Sequence, residues 1–137
     1  MERELTIGNT IKDLKKELGE DVTLVAVSKT KPNELLMQAY EAGQRDLGEN
    51  KIQEMTDKHE SLPKDIKWHM VGHVQSNKVK YMAPYVYMVH AIDKYKTLKE
   101  INKRAKENDR TINCLLQLKI AEEDSKFGLS ETDLKDL

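Results

Sequence analysis

The sequence predicts an α/β protein with about five parallel strands and alternating helices, and three observations predict it. Short runs of apolar, β-branched residues alternate with longer segments of helical periodicity. Strand and helix follow one another from end to end, which calls for right-handed crossovers and a parallel sheet. No internal repeat, low-complexity tract or linker rich in Pro, Gly or Ser divides the 137 residues, so 1–137 reads as a single domain. Two architectures satisfy this pattern, an open doubly wound sheet or part of a barrel. A complete eight-stranded α/β barrel takes about 250 residues, so this chain holds a little over half of one.

The elements follow in order. Ile7, Ile11, Leu14 and Leu18 form the stripe of an amphipathic helix, and Gly19 stands where it stops. Val22–Ser28 (VTLVAVS) is a nearly continuous apolar run, as in a parallel strand covered on both faces. Pro32 suits a first helical position, Leu35, Leu36 and Ala39 supply the apolar face, and Gly43 closes that helix. An extended piece at Arg45–Glu49 precedes a helix from Asn50 to about Lys58, then come a strand at Ile66–Val71 and a helix from about Ser76 to Met82. After Pro84 the pattern gives a strand at Val86–Ile92, a charged helix at Lys94–Asn108 and a strand at Thr111–Ile120. A last helix starts near Ser130, an N-cap with Asp133 three residues on and Leu129 and Leu134 placed as a hydrophobic staple. The chain thus reads as truncated at Leu137, inside a helix that has just begun.

Composition narrows the function classes. Lys plus Arg number 23 and Asp plus Glu 24, so the net charge of −1 provides no global field for gripping phosphate backbones or anionic membranes. No apolar run approaches the roughly 20 residues that span a bilayer, and Met1–Lys12 lacks the apolar stretch of a secretory signal. The expected address is the cytoplasm, with neither nucleic acid nor membrane as partner. The single Cys114 lies in an apolar run (INCLLQL) and reads as a reduced, buried thiol.

Four segments could carry chemistry. Lys29 directly follows the first strand, and alternation puts Val25, Val27 and Lys29 on one face, at the carboxyl end where parallel sheets bind ligands. Partial desolvation there favours the neutral amine that attacks an aldehyde; an ordinary solvated lysine is the simpler reading of position alone, with Lys31 two residues away. Lys31 precedes Pro32 and is held extended at the mouth of the helix, where water solvates its amine. In Leu47–Glu54 (LGENKIQE), Gly48 permits close backbone approach, and Asn50 either caps the next helix or presents its amide to a ligand. Trp68–Lys78 (WHMVGHVQSNK) carries His69 and His73, which on an extended segment stand roughly 13 Å apart and cannot share a metal. His59 and His90 fall in unrelated segments, so no metal site is expected. Gln117–Gly128 (QLKIAEEDSKFG) reads as a strand end entering a solvated acidic loop, and the basic run in Lys94–Arg104 as a solvated helix face.

Taken together, AVSKTKP at Ala26–Pro32, GENKIQE at Gly48–Glu54, WHMVGHVQSNK at Trp68–Lys78, AID at Ala91–Asp93 and the EEDSKFG loop closely resemble the pyridoxal phosphate homeostasis protein family, also described as alanine racemase N-terminal-like or the proline synthetase co-transcribed group. The matches run in order across nearly the whole chain. The resemblance implies an incomplete (β/α) barrel of the alanine racemase N-terminal type, pyridoxal 5′-phosphate held as a Schiff base, and a carrier role in vitamin B6 homeostasis without established turnover. It puts the Schiff-base lysine of the SKTKP motif on Lys29, and Gly48, Asn50 and His69 in the pocket lining. Departures are Leu47 where the family commonly has an aromatic residue, Leu116–Lys119 where it usually has an asparagine, and Phe127 where it has a small residue. The serine- and glycine-rich phosphate cradle and the arginine facing the pyridine nitrogen belong, in the family, to a C-terminal portion outside these 137 residues. A chain of this length alone is therefore expected to hold the phosphorylated cofactor weakly and to associate through open sheet edges.

Two other functions stay open. A racemase-like pyridoxal enzyme needs a second acid or base across the cofactor, and racemisation of free alanine distinguishes it from a carrier. A cofactor-free interaction fragment forms no borohydride-stable pyridoxyl adduct. Alternation also places Gln117 and Lys119 toward the barrel axis and Leu116, Leu118 and Ile120 toward the covering helices, so that a second cation approaches the Lys29 end of the sheet.

Overall fold

Residues 6–118 are described in the computed structural model. Within them the chain runs α1 (Ile7–Leu18), β1 (Ala26–Val27), α2 (Asn33–Glu41), β2 (Asp46–Glu49), α3 (Ile52–Ser61), β3 (Lys67–Met70), a 3-10 turn (Ser76–Lys78) that leads into α4 (Val79–Met82), β4 (Met88–Ile92), α5 (Tyr95–Glu107) and β5 (Asn113–Leu116). Lys119, the EEDSKFG loop and the helix expected near Ser130 lie outside the described residues. Among the described residues no helix is long and apolar enough to cross a membrane.

All strand pairs are parallel, and the sheet order is β1-β2-β3-β4-β5. This decides between the two architectures. A doubly wound sheet reverses direction at a switch point and carries helices on both faces, whereas an order that advances one strand at a time keeps every helix on one side, as in a barrel wall. The core agrees. Leu36 of α2, Ile52 and Met55 of α3, Val79 and Met82 of α4 and Ile101 of α5 form one cluster with Leu47, Trp68, Met70 and Val89 of the strands. The opposite face bears Val27, Gly48, His69 and Met88, and at its β1 edge Val27 is 56% exposed. Among the described residues β1 and β5 do not pair with each other, so the sheet is an unclosed arc.

Element boundaries shift for local reasons. The strand expected over Val22–Ser28 is reduced to Ala26–Val27, because pairing with β2 begins only at Ala26↔Leu47. Ahead of that point a side chain stands in for the ladder: the buried Gln44 amide donates to the Leu24 carbonyl at 2.6 Å and the Asp46 carbonyl at 2.7 Å. Helix α1 begins at Thr6, whose Oγ1 accepts the Asn9 N–H at 3.0 Å, and ends at Gly19 with φ +82°. Its stripe is only partly covered: Ile11 is 6% exposed, while Leu14 and Leu18 are each 40% exposed. At the far edge, Ile112 and Cys114 pack against the core, but Leu116 and Leu118, expected under helices, are 40% and 44% exposed among the described residues. Cys114 is half-buried, and burial pushes its thiol pKa up, so it is a poor nucleophile. Leu47, 1% exposed, fills its core position, which makes the change from an aromatic residue a matter of packing.

Candidate functional site

The four residues singled out from the sequence all lie toward the carboxyl end of β1, β2 and β3, but they differ in role. Lys29 follows buried Ser28, whose N–H continues the β1 ladder to the Gly48 carbonyl at 2.8 Å. The chain then turns sharply: the Lys31 N–H donates back to the Ser28 carbonyl at 3.2 Å, and Thr30 adopts φ 64°. That left-handed conformation is unfavourable for a β-branched residue and needs support from its surroundings. Lys29 is exposed, so the desolvation expected from its strand-end position is not supplied by the described residues. Among those residues no hydrogen bond or ion pair engages its amine.

Gly48 is a packing glycine between strands. A Cβ there would meet Val25 Cγ1 at 3.1 Å and Val71 Cγ1 at 3.3 Å, tight enough that the neighbours must give. Asn50 does not cap α3: the cap position is Lys51, with no side-chain bond to the helix. Its side chain instead lies over Gly72, where a Cβ would meet Asn50 Oδ1 at 2.1 Å and the Asn50 carbonyl oxygen at 2.5 Å. The glycine of the WHMVGH segment thus makes room for Asn50. Asn50 is exposed and lines a cleft of about 280 Å³ together with His73, Gln75 and Lys78. A cavity of about 400 Å³ between α1, α2 and β1 is apolar and includes Lys31; Lys29 lines neither.

His69 is the member with the richest bonding, and it brings in two residues that sequence reasoning missed. Its Nε2 lies 2.8 Å from Asp46 Oδ2, and its Nδ1 lies 2.8 Å from His90 Nε2. The assignment of His90 to an unrelated segment is corrected by this contact. The Asp46 carboxylate can only accept, so His69 Nε2 carries a proton, and across the second contact one of His69 Nδ1 and His90 Nε2 donates and the other accepts. Burial, aided by the neighbouring His69, holds the His90 pKa below the usual histidine range. His73, four residues from His69, has a different partner, with Nδ1 3.7 Å from Asp93 Oδ2. Among the described residues no group of three His, Cys, Asp or Glu side chains is arranged to hold a metal.

A second network missed from the sequence lies behind Lys29, on the helix-covered face. Lys58 Nζ donates to the Ser28 carbonyl at 2.7 Å, Glu49 Oε1 at 2.7 Å and Glu54 Oε1 at 3.0 Å. Ser28 Oγ donates to Glu49 Oε2 at 2.6 Å, and the Thr30 N–H to Glu54 Oε1 at 2.5 Å. The Thr30 N–H, first among several bonds, holds the Glu54 pKa below the usual carboxylate value, while burial raises that of Glu49 despite its bonds from Lys58 and Ser28. The available signal was alternation: Glu49 shares a strand face with Leu47, and a carboxylate on an apolar face calls for a buried partner.

Residues 6–137 match the family described as "Alanine racemase, N-terminal domain". The chain belongs to this family. Among curated relatives, the "Pyridoxal phosphate homeostasis protein" of Schizosaccharomyces pombe is 38% identical over 121 residues, covering 87% of this chain and 51% of its own length. The protein of the same name from Escherichia coli K12 is 36% identical over 122 residues, covering 86% and 52%. The chain therefore spans about half the length of the curated relatives it matches. Of solved structures, PipY of Synechococcus elongatus without PLP superimposes with a TM-score of 0.88 at 32% identity, covering 96% of this chain and 62% of PipY. The form with PLP bound gives 0.86 at the same identity, covering 96% and 61%. The barrel-wall arrangement expected for an alanine racemase N-terminal domain is thus the fold observed.

Proposed function

We propose that the chain belongs to a pyridoxal phosphate-binding protein of vitamin B6 homeostasis, in which Lys29 carries the cofactor as a Schiff base. The observation that supports this most is the placement of Lys29: an accessible primary amine on a turned loop at the carboxyl end of β1, next to the strand ends that bear Asn50 and His69. This donor set fits the aldehyde end of such a cofactor. Lys29 would supply an accessible primary amine to the aldehyde carbon, and the Asn50 amide would offer a donor and an acceptor to a ring substituent. When bound, the cofactor supplies an electrophilic carbonyl and an electron-withdrawing ring. The names of the relatives and the PLP-bound form of PipY point the same way.

An absorbance titration with pyridoxal phosphate tests the reading. Wild type and Lys31→Ala should develop the same imine band, and Lys29→Ala none; a band retained in Lys29→Ala and lost in Lys31→Ala would contradict it. The racemase-like alternative draws support from the Asp46–His69–His90 chain, whose terminal nitrogen is a candidate acid or base. Turnover of free alanine that is abolished by His90→Gln would favour it over a carrier. Among the described residues β1 and β5 each pair along one edge only, which also supports self-association, and sedimentation at increasing concentration would reveal it.

A further inference from the structure

We propose that Glu49, Lys58 and Glu54 form a positioning device that holds the Ser28–Lys31 turn in its strained shape and so aims Lys29. The inference rests on the reading of Lys29 as the cofactor amine. Its basis is how the bonds are distributed. An ammonium has three N–H donors, and those of Lys58 go to three acceptors: the Ser28 carbonyl, Glu49 and Glu54. Glu49 returns to the same loop through the Ser28 hydroxyl, and Glu54 through the Thr30 N–H. Both residues flanking Lys29 are therefore clamped from behind, while Lys29 itself is left exposed. The clamp meets the one point of the loop that needs support, Thr30 at φ 64°.

Stability alone does not explain the cluster. The side chains of Glu49 and Lys58 are 0% and 8% exposed, and a buried ion pair gains little over apolar residues of similar volume, because desolvation offsets the attraction. What the ions do supply is direction, since a saturated ammonium fixes three acceptors relative to one another. The spacing serves this: Glu54 and Lys58 are one turn apart on α3, and Glu49 ends β2, so a strand end and a helix converge on the turn after β1.

The distinction between holding the fold and aiming the lysine sets the experiment. Glu49→Leu combined with Lys58→Met replaces the pair by apolar residues, and Glu54→Ala, at a side chain 30% exposed, removes only the Thr30 acceptor and one Lys58 contact. Each variant, with wild type and Lys29→Ala, is equilibrated with pyridoxal phosphate, reduced with borohydride and mapped by mass spectrometry. Amide hydrogen exchange at Thr30 and the thermal midpoint are measured alongside. Released loops should exchange faster at Thr30, bind about tenfold more weakly and spread the adduct from Lys29 to Lys31 and other surface lysines. Ile101→Ala, which opens the core at α5, beside β4 rather than beside the turn after β1, should lower the midpoint without redistributing the adduct. Folded variants that keep both wild-type affinity and sole modification of Lys29 would overturn the proposal. Should the double variant fail to fold, Glu54→Ala decides by the same criteria. A Lys29→Ala protein that still forms the full adduct would refute the underlying reading instead, whatever the other variants do.

Discussion

At position 72 a single missing methyl group organises one side of the site. Because a Cβ on Gly72 would fall 2.1 Å from Asn50 Oδ1 and 2.5 Å from the Asn50 carbonyl oxygen, Gly72→Ala cannot be absorbed by a rotamer change alone. It must move backbone, and overpacking of this kind costs about 1–3 kcal/mol. Urea denaturation of Gly72→Ala should show that loss, and a midpoint equal to wild type would contradict the contact. A second prediction concerns pH. Burial, more than the nearby Lys64 charge, lowers the His59 pKa, and burial also lowers that of His90. Such rings bind fewer protons folded than unfolded, so stability is complete above the ordinary histidine value of about 6.5 and is lost as pH falls from there toward the folded-state value. His59→Phe keeps a ring to stack on Tyr85, whose centroid lies 4.0 Å away, but removes one titrating group. Its thermal midpoint should vary less between pH 7 and 5 than that of wild type; an unchanged slope would refute the assignment. Strand-end position marked Lys29, Gly48 and Asn50 as candidates in the sequence, whereas the family resemblance alone raised Lys29 above an ordinary solvated lysine and put His69 in the pocket lining. Sequence reasoning did not reach Asp46, His90, Glu49 or Lys58, whose roles exist only across strands or between strand and helix. Alternation reports which face a residue occupies, but not whom it meets there.

Among the elements, helix α1 shows how far periodicity carries. Its four apolar residues are equivalent in the sequence, yet the fold buries Ile11 and leaves Leu18 40% exposed. Ile11→Ala should therefore cost about 2–5 kcal/mol and Leu18→Ala well under half of that, as read from denaturation midpoints. Equal losses would mean that Leu18 is covered in solution. Four of the five strands were legible because apolar runs with β-branched residues are unlike their surroundings, while Arg45–Glu49, which has no β-branched residue, followed from the alternation of elements; β1 proved shorter than its apolar run. Its first part is secured by the Gln44 amide, a bond that no hydrophobic pattern encodes. The pattern of elements left the choice between doubly wound sheet and barrel wall open; the family resemblance chose the barrel wall, and the strand order bears that out. Both use the same alternation of elements, and only the spatial order of strands separates them.

For the molecule as a whole, the fold places an apolar, helix-covered face behind the sheet and a polar face in front, with the turn after β1 clamped at the border. The rear face holds Trp68, Met70 and Val89 fully buried, so it fixes the strands that carry the site. The front face bears the Asp46–His69–His90 chain, and Lys29 stands in the turn that follows β1. The central proposal is that this architecture presents one amine, that of Lys29. Lysine is abundant on the surface, so the claim is about selectivity. Its most direct measurement is the site and stoichiometry of a reduced pyridoxyl adduct on the wild-type chain at limiting cofactor, read by peptide mapping. Every adduct on Lys29, and never more than one on a chain, is the predicted result. Modification spread over the surface lysines, or concentrated on Lys31, would contradict it.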